Sequence, residues 1–324
     1  MKKILITGVN GYIGKCLYHF LKGKFKVIGI DKESISKGNI HRCNILNTRK
    51  FEKILHKTKP EIIVHLAAQS LVDETINKKK YYNNNVIATN ALLNSMKKNN
   101  IEKIIFSSTA AVYKQSSKPL KEKAKLQCLS TYAKTKLICE KNILRQKNIK
   151  SVILRFFNVC SALTNPCLGE LHSPETHLIP TVVYKAIYNK KIYIYGNDFP
   201  TSDGTCIRDY IHIEDICSAI QKSIKLLLIK KKSMIFNIGN RKGLSNQEIV
   251  NYINKRMKKK INLKYAKRRK GDLPKLVCNS DKAKKSLNWA ARKSNIEKIV
   301  NDEILWIKKF KKAGLKRTFK NYLK

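Results

Sequence analysis

Apolar residues run along the first half of the chain in two alternating rhythms. Unbroken runs at residues 3–7, 26–30, 62–66, 103–108 and 152–156 have the length and the Ile/Leu/Val/Phe content of strands buried on both faces. Between them, residues 12–22, 48–57, 84–98 and 131–147 carry the spacing of helices with one buried face. Strands alternating with helices predict an α/β chain with a doubly wound parallel sheet of the Rossmann type. Parallel strands need right-handed crossovers, which place helices on both faces.

After about residue 158 the rhythm changes. Pro, Gly and other turn residues crowd 164–176 and 196–206. Helical spacing resumes near 178–189, 214–228 and 245–257, with a strand at 234–238. The expectation is a cofactor-binding Rossmann domain over 1–158 and a smaller C-terminal α/β substrate lobe over 159–324, some of whose segments return to the sheet. The last stretch, 306–324, is very basic and is expected to fray. No internal repeat stands out.

Composition changes this picture little. A 43% hydrophobic content suits a globular chain of 324 residues and argues against disorder. The net charge of +46, from 68 Lys+Arg against 22 Asp+Glu, would by itself suggest a polyanion partner. Its distribution argues otherwise. Lysines are scattered, only Lys78–Lys80 and Lys258–Lys260 cluster, and the abundance of Lys, Asn and Ile reads as coding bias. No nucleic-acid-binding motif is visible, so no nucleic acid is expected as a partner. The nine cysteines form no C-x-x-C pair, and no His/Cys cluster has metal-ligand spacing. They read as free thiols of a cytoplasmic protein, with Cys16, Cys139 and Cys217 in the core, and no metal is expected. Glycines interrupt the apolar start, which is therefore no signal peptide, and no apolar run reaches about 18 residues, so no membrane partner is expected.

The candidate chemistry lies at strand ends. Gly8, Gly11 and Gly14 follow the first strand and open the first helix, where glycines let a backbone approach a pyrophosphate. Asp31 ends the second strand run, where an acid can bind ribose hydroxyls and disfavours a 2′-phosphate; this points to NAD. Tyr132 and Lys136 are four apart and share a helix face. A lysine and an oxidised nicotinamide beside that tyrosine would favour its phenolate, a general base. Upstream, Ser107, Ser108 and Thr109 end a buried strand, where a hydroxyl can bond the same substrate oxygen.

In this order the motifs resemble the extended short-chain dehydrogenase/reductase family, and within it the UDP-glucose (UDP-galactose) 4-epimerases. The resemblance runs from residue 3 to about 290. It rests on His65-Leu66-Ala67-Ala68, Tyr81–Val86, Ser107–Tyr113, Tyr132–Lys136 and Leu154–Val159. Its most specific part is the run Tyr195–His212, with Gly196-Asn197-Asp198, Asp203-Gly204-Thr205 and Arg208-Asp209-Tyr210, followed by Arg268-Arg269-Lys270-Gly271-Asp272.

The resemblance implies a homodimeric isomerase that inverts C4 of a UDP-hexose through a 4-keto sugar, with NAD retained. The dimer would form through helices of the cofactor domain, with 84–98 and 131–147 as candidates. By position, Thr109 and Tyr132 act on the sugar 4-OH and Lys136 holds the nicotinamide ribose. Tyr12, Ile13, Asn44, Ala67, Ala68, Asn85, Ser107 and Phe156 complete the NAD site. Asn158, Arg208 and Arg269 face the diphosphate, Asp272 the uridine ribose and Tyr193–Tyr195 the uracil, with His177 and Leu178 also on the substrate.

The chain departs from the family pattern in four places. Ser70 replaces a lysine near the nicotinamide, Asn44 an aspartate near the adenine and Phe156 a tyrosine; Ser161-Ala162 stands for Gly-Ala. These departures bear on cofactor affinity and the pocket floor. Two alternatives stay open. Leu276, intermediate in bulk, stands where residue size sets whether N-acetylated UDP-hexoses enter. A non-catalytic polyanion-binding protein on the same fold would account for the charge, though not for the intact Thr109, Tyr132 and Lys136. Ala110 and Ala111 replace the acid that a dehydratase of this family places beside the threonine.

Overall fold

The computed structural model describes residues 1–312 except 34, 35, 72–76, 171, 173, 174, 231, 260 and 270. Strand β1 (Lys3–Thr7) leads through the glycine loop into α1 (Tyr12–Leu21), followed by β2 (Lys26–Asp31), β3 (Ile40–Arg42), α2 (Thr48–Thr58) and β4 (Ile62–His65). Helix α3 (Lys78–Tyr81) continues through a π-helical turn (Tyr82–Ile87) into α4 (Ala88–Lys98). After it come β5 (Lys103–Thr109), α5 (Thr131–Leu144) and β6 (Lys150–Phe156). The helix expected at 84–98 thus starts earlier, and the one expected at 131–147 stops at Leu144.

The unbroken apolar runs make sense in this architecture, because neighbouring strand residues point to opposite faces and both faces are covered. In β1, Ile4 and Ile6 pack with Leu17 and Leu21 of α1, whereas Leu5 between them packs with Phe51 and Leu55 of α2 and Leu92 of α4.

The second half begins with β7 (Asn158–Cys160), β8 (Leu163–Thr164), β9 (Cys167–Leu168), α6 (Leu178–Ile187) and β10 (Ile192–Tyr195). Then come β11 (Ile207–His212), α7 (Ile213–Ile229), β12 (Met234–Ile238), β13 (Gly243–Ser245) and α8 (Asn246–Met257). The chain closes with β14 (Leu263–Ala266), β15 (Lys275–Leu276), α9 (Asp281–Leu287) and α10 (Ile296–Lys312).

Strand β12 crosses back to the main sheet, whose order is β12-β6-β5-β4-β1-β2-β3, all parallel. Helix α7 comes with it and buries Ile216, Cys217 and Ile220 in the same cluster as α1. What remains is a smaller layer centred on β11, which pairs antiparallel with β13 and parallel with β15 and β7. Strand β10 pairs separately with β14, and α6, α8 and α10 share the core over them.

The tail expected to fray from residue 306 is helical as far as Lys312, because Ile307 and Phe310 are buried with Ile179 and Val183 of α6. Residues 313–324 lie outside the described residues. All nine cysteines are free thiols, and Cys16, Cys139 and Cys217 are buried as expected. Among the described residues no helix is long and apolar enough to cross a membrane.

Candidate active site

A cleft of about 1320 Å³ runs from the carboxyl ends of the parallel strands into the smaller layer. Its first third is the glycine loop. Gly8 has φ +73°, and a Cβ there would sit 2.7 Å from the backbone nitrogen of Ala67. A Cβ on Gly14 would lie 2.1 Å from the Gly8 carbonyl oxygen, so α1 can approach β1 this closely only with glycine. Gly11 caps α1 without a side chain, leaving first-turn N–H groups and the positive helix end open to the cleft. Asp31 stands at the end of β2, its carboxylate accepting from Asn10 N and Glu33 N at 3.0 Å each. A cradle with no room for side chains, a positive helix end and an acid on the next strand fit a dinucleotide phosphate and its ribose.

Gly11, Tyr12, Ile13, Asn44, Ala67, Ala68, Ser107 and Phe156 also line this end of the cleft, as does Ser70. Asn85 stands behind these residues. It is 2% exposed and sits behind the wall, accepting from Gln69 N at 2.7 Å and donating to Thr135 Oγ1 at 3.0 Å. Its effect reaches the cleft through Gln69. Ser161 has φ +74°, a conformation that favours the glycine expected there. It is held by its own hydroxyl donating to Ile299 O at 2.9 Å and by Tyr12 OH donating to its carbonyl at 2.5 Å.

The middle third joins β5 to the first turns of α5. Ser130 caps α5 by accepting from Ala133 N, which starts the helix so that Tyr132 and Lys136 both face the cleft beside Thr109. Burial pushes the Tyr132 phenol up to about 12, although a hydrogen bond with Thr109 pulls the other way. Burial brings Lys136 down to about 8. Its ammonium donates to Ser107 O at 2.5 Å and lies 4.6 Å from the Phe106 ring centroid. In this form the Lys136 ammonium is held by Ser107 O, and it is Thr109 that lowers the Tyr132 phenol.

Two buried networks under this third had not been singled out in the sequence. One turn beyond Lys136, Glu140 pairs with Arg155 (Nη2–Oε2 2.6 Å, Nε–Oε1 3.0 Å) and accepts from Ser108 Oγ. Burial alone would lower the Arg155 pKa, but Glu140 outweighs it and raises it. Arg155 also donates to Tyr113 OH, which donates to Asn237 Oδ1 at 2.6 Å, so α5, β5, β6 and β12 are tied together. The second network runs Thr7–His65–Thr89 through both ring nitrogens of His65 (2.7 and 3.0 Å). Burial lowers that ring to about 3, which keeps it neutral. In a chain so poor in acids, Glu140 at i+4 from Lys136 was the available signal.

The last third is built from the smaller layer. Arg208 on β11 donates to Leu273 O at 2.6 Å and reaches Asp272 at 3.4 Å; Arg269 reaches the other oxygen of Asp272 at 3.4 Å. The Arg269 guanidinium also lies 4.7 Å from the Tyr195 ring centroid. Asn158 is registered against Tyr210, and Tyr193, Tyr195, Leu178 and Leu276 line the same space. His177 lines it too, but its Nδ1 is engaged at 2.9 Å by Glu175.

That contact belongs to a group the spacing argument missed. Glu170, His172, Glu175 and His177 each offer a ligand atom, all within 4.8 Å of one another. His and Cys spacing alone does not anticipate this set, half of which is glutamate. Burial alone would raise Glu170, but His177 and His172 outweigh it and hold it at about 2. Burial likewise would lower His177, but Glu170 and Glu175 raise it well above the usual imidazole range.

Residues 4–239 match the NAD dependent epimerase/dehydratase family. The chain is 36% identical over 299 residues to a UDP-glucose 4-epimerase of Rhizobium meliloti, covering 88% of this chain and 91% of that one. It is 35% identical over 325 residues to a UDP-glucose 4-epimerase of Lactobacillus helveticus, covering 96% and 98%. A crystal structure of a Stenotrophomonas maltophila UDP-glucose-4-epimerase with bound NAD and formylated UDP-arabinopyranose superimposes with a TM-score of 0.90. It is 25% identical and covers 97% of this chain and 100% of that one.

Proposed function

The chain belongs to the NAD dependent epimerase/dehydratase family, and from that premise we propose that it interconverts UDP-galactose and UDP-glucose by inverting C4 of the hexose. One observation carries this reading. A half-buried Tyr132 beside Thr109 stands at the middle of a cleft whose dinucleotide end has Gly8, Gly14 and Asp31 and whose far end has Arg208, Arg269 and Asp272.

When bound, NAD takes the hydrogen from C4 and returns it to the opposite face of the resulting 4-keto sugar. Thr109 holds the sugar 4-oxygen, and Tyr132 takes and returns its proton. Burial holds Tyr132 near 12, so it becomes a competent base when positive charge is brought beside it. Lys136 holds the nicotinamide ribose. Arg208 and Arg269 clamp the diphosphate by charge-assisted hydrogen bonds, displacing Asp272 toward the uridine ribose, and Tyr193 and Tyr195 frame the base. Binding energy from the nucleotide, far from C4, keeps the sugar tethered while it turns over.

The proposed division of labour falls near residue 158, with β12 crossing back to the cofactor half. The proposed homodimer uses the α4 and α5 side, where Ile87 is 50% and Leu144 44% exposed. Free thiols throughout suit the cytoplasm. The test is to incubate purified protein with UDP-galactose alone. UDP-glucose should appear without added NAD; no conversion even with NAD supplied would overturn the reading.

A further inference from the structure

Glu170, His172, Glu175 and His177 lie where the loop after β9 turns into α6, on the wall of the cleft but away from Tyr132. We propose that these four side chains bind one divalent transition-metal ion of the zinc type, as a closed site that fixes the start of α6.

Donor chemistry comes first. Two imidazole nitrogens with two carboxylates suit a borderline ion such as Zn²⁺, whereas Ca²⁺ and Mg²⁺ take oxygen ligands. The spacing also fits. His172 Nδ1 is 2.9 Å from Glu170 Oε1 and 3.8 Å from Glu175 Oε2, and His177 Nδ1 is 3.1 and 2.9 Å from Oε1 of Glu170 and Glu175. Four ligands at about 2.0–2.2 Å from a tetrahedral ion stand roughly 3.4 Å apart, so the set needs only small shifts to close on one.

An independent observation concerns what these groups lack. Glu170 is 2% exposed, yet its Oε2 has no hydrogen-bond partner. His172 Nδ1 is also without one, although Glu170 Oε1 stands 2.9 Å away. Glu303 of α10 is fully buried with both oxygens unpartnered, close enough for Glu170 and Glu175 to act on its charge. Buried polar atoms are normally paired, and an ion held between Glu170 and Glu175 would give Glu170 Oε2 and His172 Nδ1 the partner they lack.

The backbone around the set is prepared to hold still. Trp306 Nε1 donates to Glu170 O at 2.9 Å, and the Trp306 ring fills the space beside Gly169. His177 is the residue just before α6, so an ion here also fixes Leu178 at the cleft.

The test uses the full chain, stripped with a chelator and titrated with Zn²⁺ by calorimetry, then loaded with Co²⁺ for its electronic spectrum. One equivalent should bind saturably. Glu170→Gln and His172→Gln should each weaken binding at least tenfold, while Tyr132→Phe should leave it unchanged. Co²⁺ should give the visible bands of a four-coordinate nitrogen/oxygen site without thiolate charge transfer. His172 is partly exposed, so its variant carries the comparison if Glu170→Gln does not fold. No stoichiometric binding, binding that His172→Gln leaves intact, or a thiolate band showing the ion on cysteines would each overturn the proposal.

Discussion

The two ends of the cleft are built by different rules. At the dinucleotide end, Gly8, Asp31, Ala67 and Thr109 stand at or just past the ends of β1, β2, β4 and β5, so the order of strands in the parallel sheet sets their order in space. At the far end, each group depends on a pairing between distant segments. Arg208 is registered against Leu276, Asn158 against Tyr210, and Tyr193 and Tyr195 against Lys264 and Ala266. A parallel sheet is a repeating device that puts every strand's end at one edge, whereas the smaller layer has no repeat and must be specified contact by contact. The first end should therefore fail through local substitutions at single strands. The far end should fail gradually, as separate anchors are lost.

The sharpest break concerns the junction of the two ends. Tyr132→Phe removes the proposed proton carrier but keeps the ring and its burial. It should lower kcat by about 10³-fold, within the range general acid–base groups contribute, and leave the affinity for UDP measured by calorimetry unchanged. A loss in affinity with kcat preserved would move Tyr132 from the reaction to the anchoring set.

A second prediction separates Lys136 from the nucleotide anchors by pH. Its folded pKa is about 8, lowered by burial from the ordinary lysine value of 10.5. Between those values the unfolded chain binds the extra proton, so the free enzyme should gain stability as pH rises from 8 to 10.5, by up to roughly 3 kcal/mol. Below 8 both states are protonated and the cost of burying the ammonium is constant. Denaturant titrations across this range should show the slope in wild type minus Lys136→Met, since other lysines cancel in the difference. A flat difference would place the Lys136 ammonium in water.

The far end should respond more mildly. Arg208→Lys keeps the charge but loses the fork that now serves Leu273, Ile207 and Asp272 together. KM for the UDP-hexose should rise roughly 10- to 100-fold with kcat nearly preserved, the signature of uniform binding. A fall in kcat of the same size would mean that this anchor also positions C4, and the contrast between the two ends would weaken.

The same contrast explains what was legible in the sequence. The central strands and their helices could be read because each is covered on a fixed side, so Ile4, Leu5 and Ile6 form one unbroken run. The strands β7, β13 and β15 are two or three residues long and carry no period of their own; they exist only because β11 is there to pair with. Family motifs still named Arg208, Arg269 and Asp272, but not that Asp272 bridges the two arginines. The motif also named Asn85, but not that its side chain bonds Gln69 and Thr135. The Glu170–His177 group was invisible because its donors follow an irregular loop and half of them are glutamates.

The smallest expected effect tests the far end at its floor. Leu276 is 9% exposed, lines the cleft and is held in register with Arg208 on β11. On the proposed reading it would set the width of the pocket next to Arg208. Leu276→Ala opens space at that wall, and a hydrophobic pocket discriminates only about 10- to 200-fold for small changes in bulk. The ratio of kcat/KM for UDP-N-acetylgalactosamine over UDP-galactose should rise about tenfold, chiefly through the N-acetylated substrate, while UDP-galactose turnover changes little. Leu276→Tyr should move the ratio the other way. Equal changes for both sugars would show that Leu276 supports β11 and Arg208 instead of gating the sugar, and the width of this end would then have to be set by another wall of the cleft.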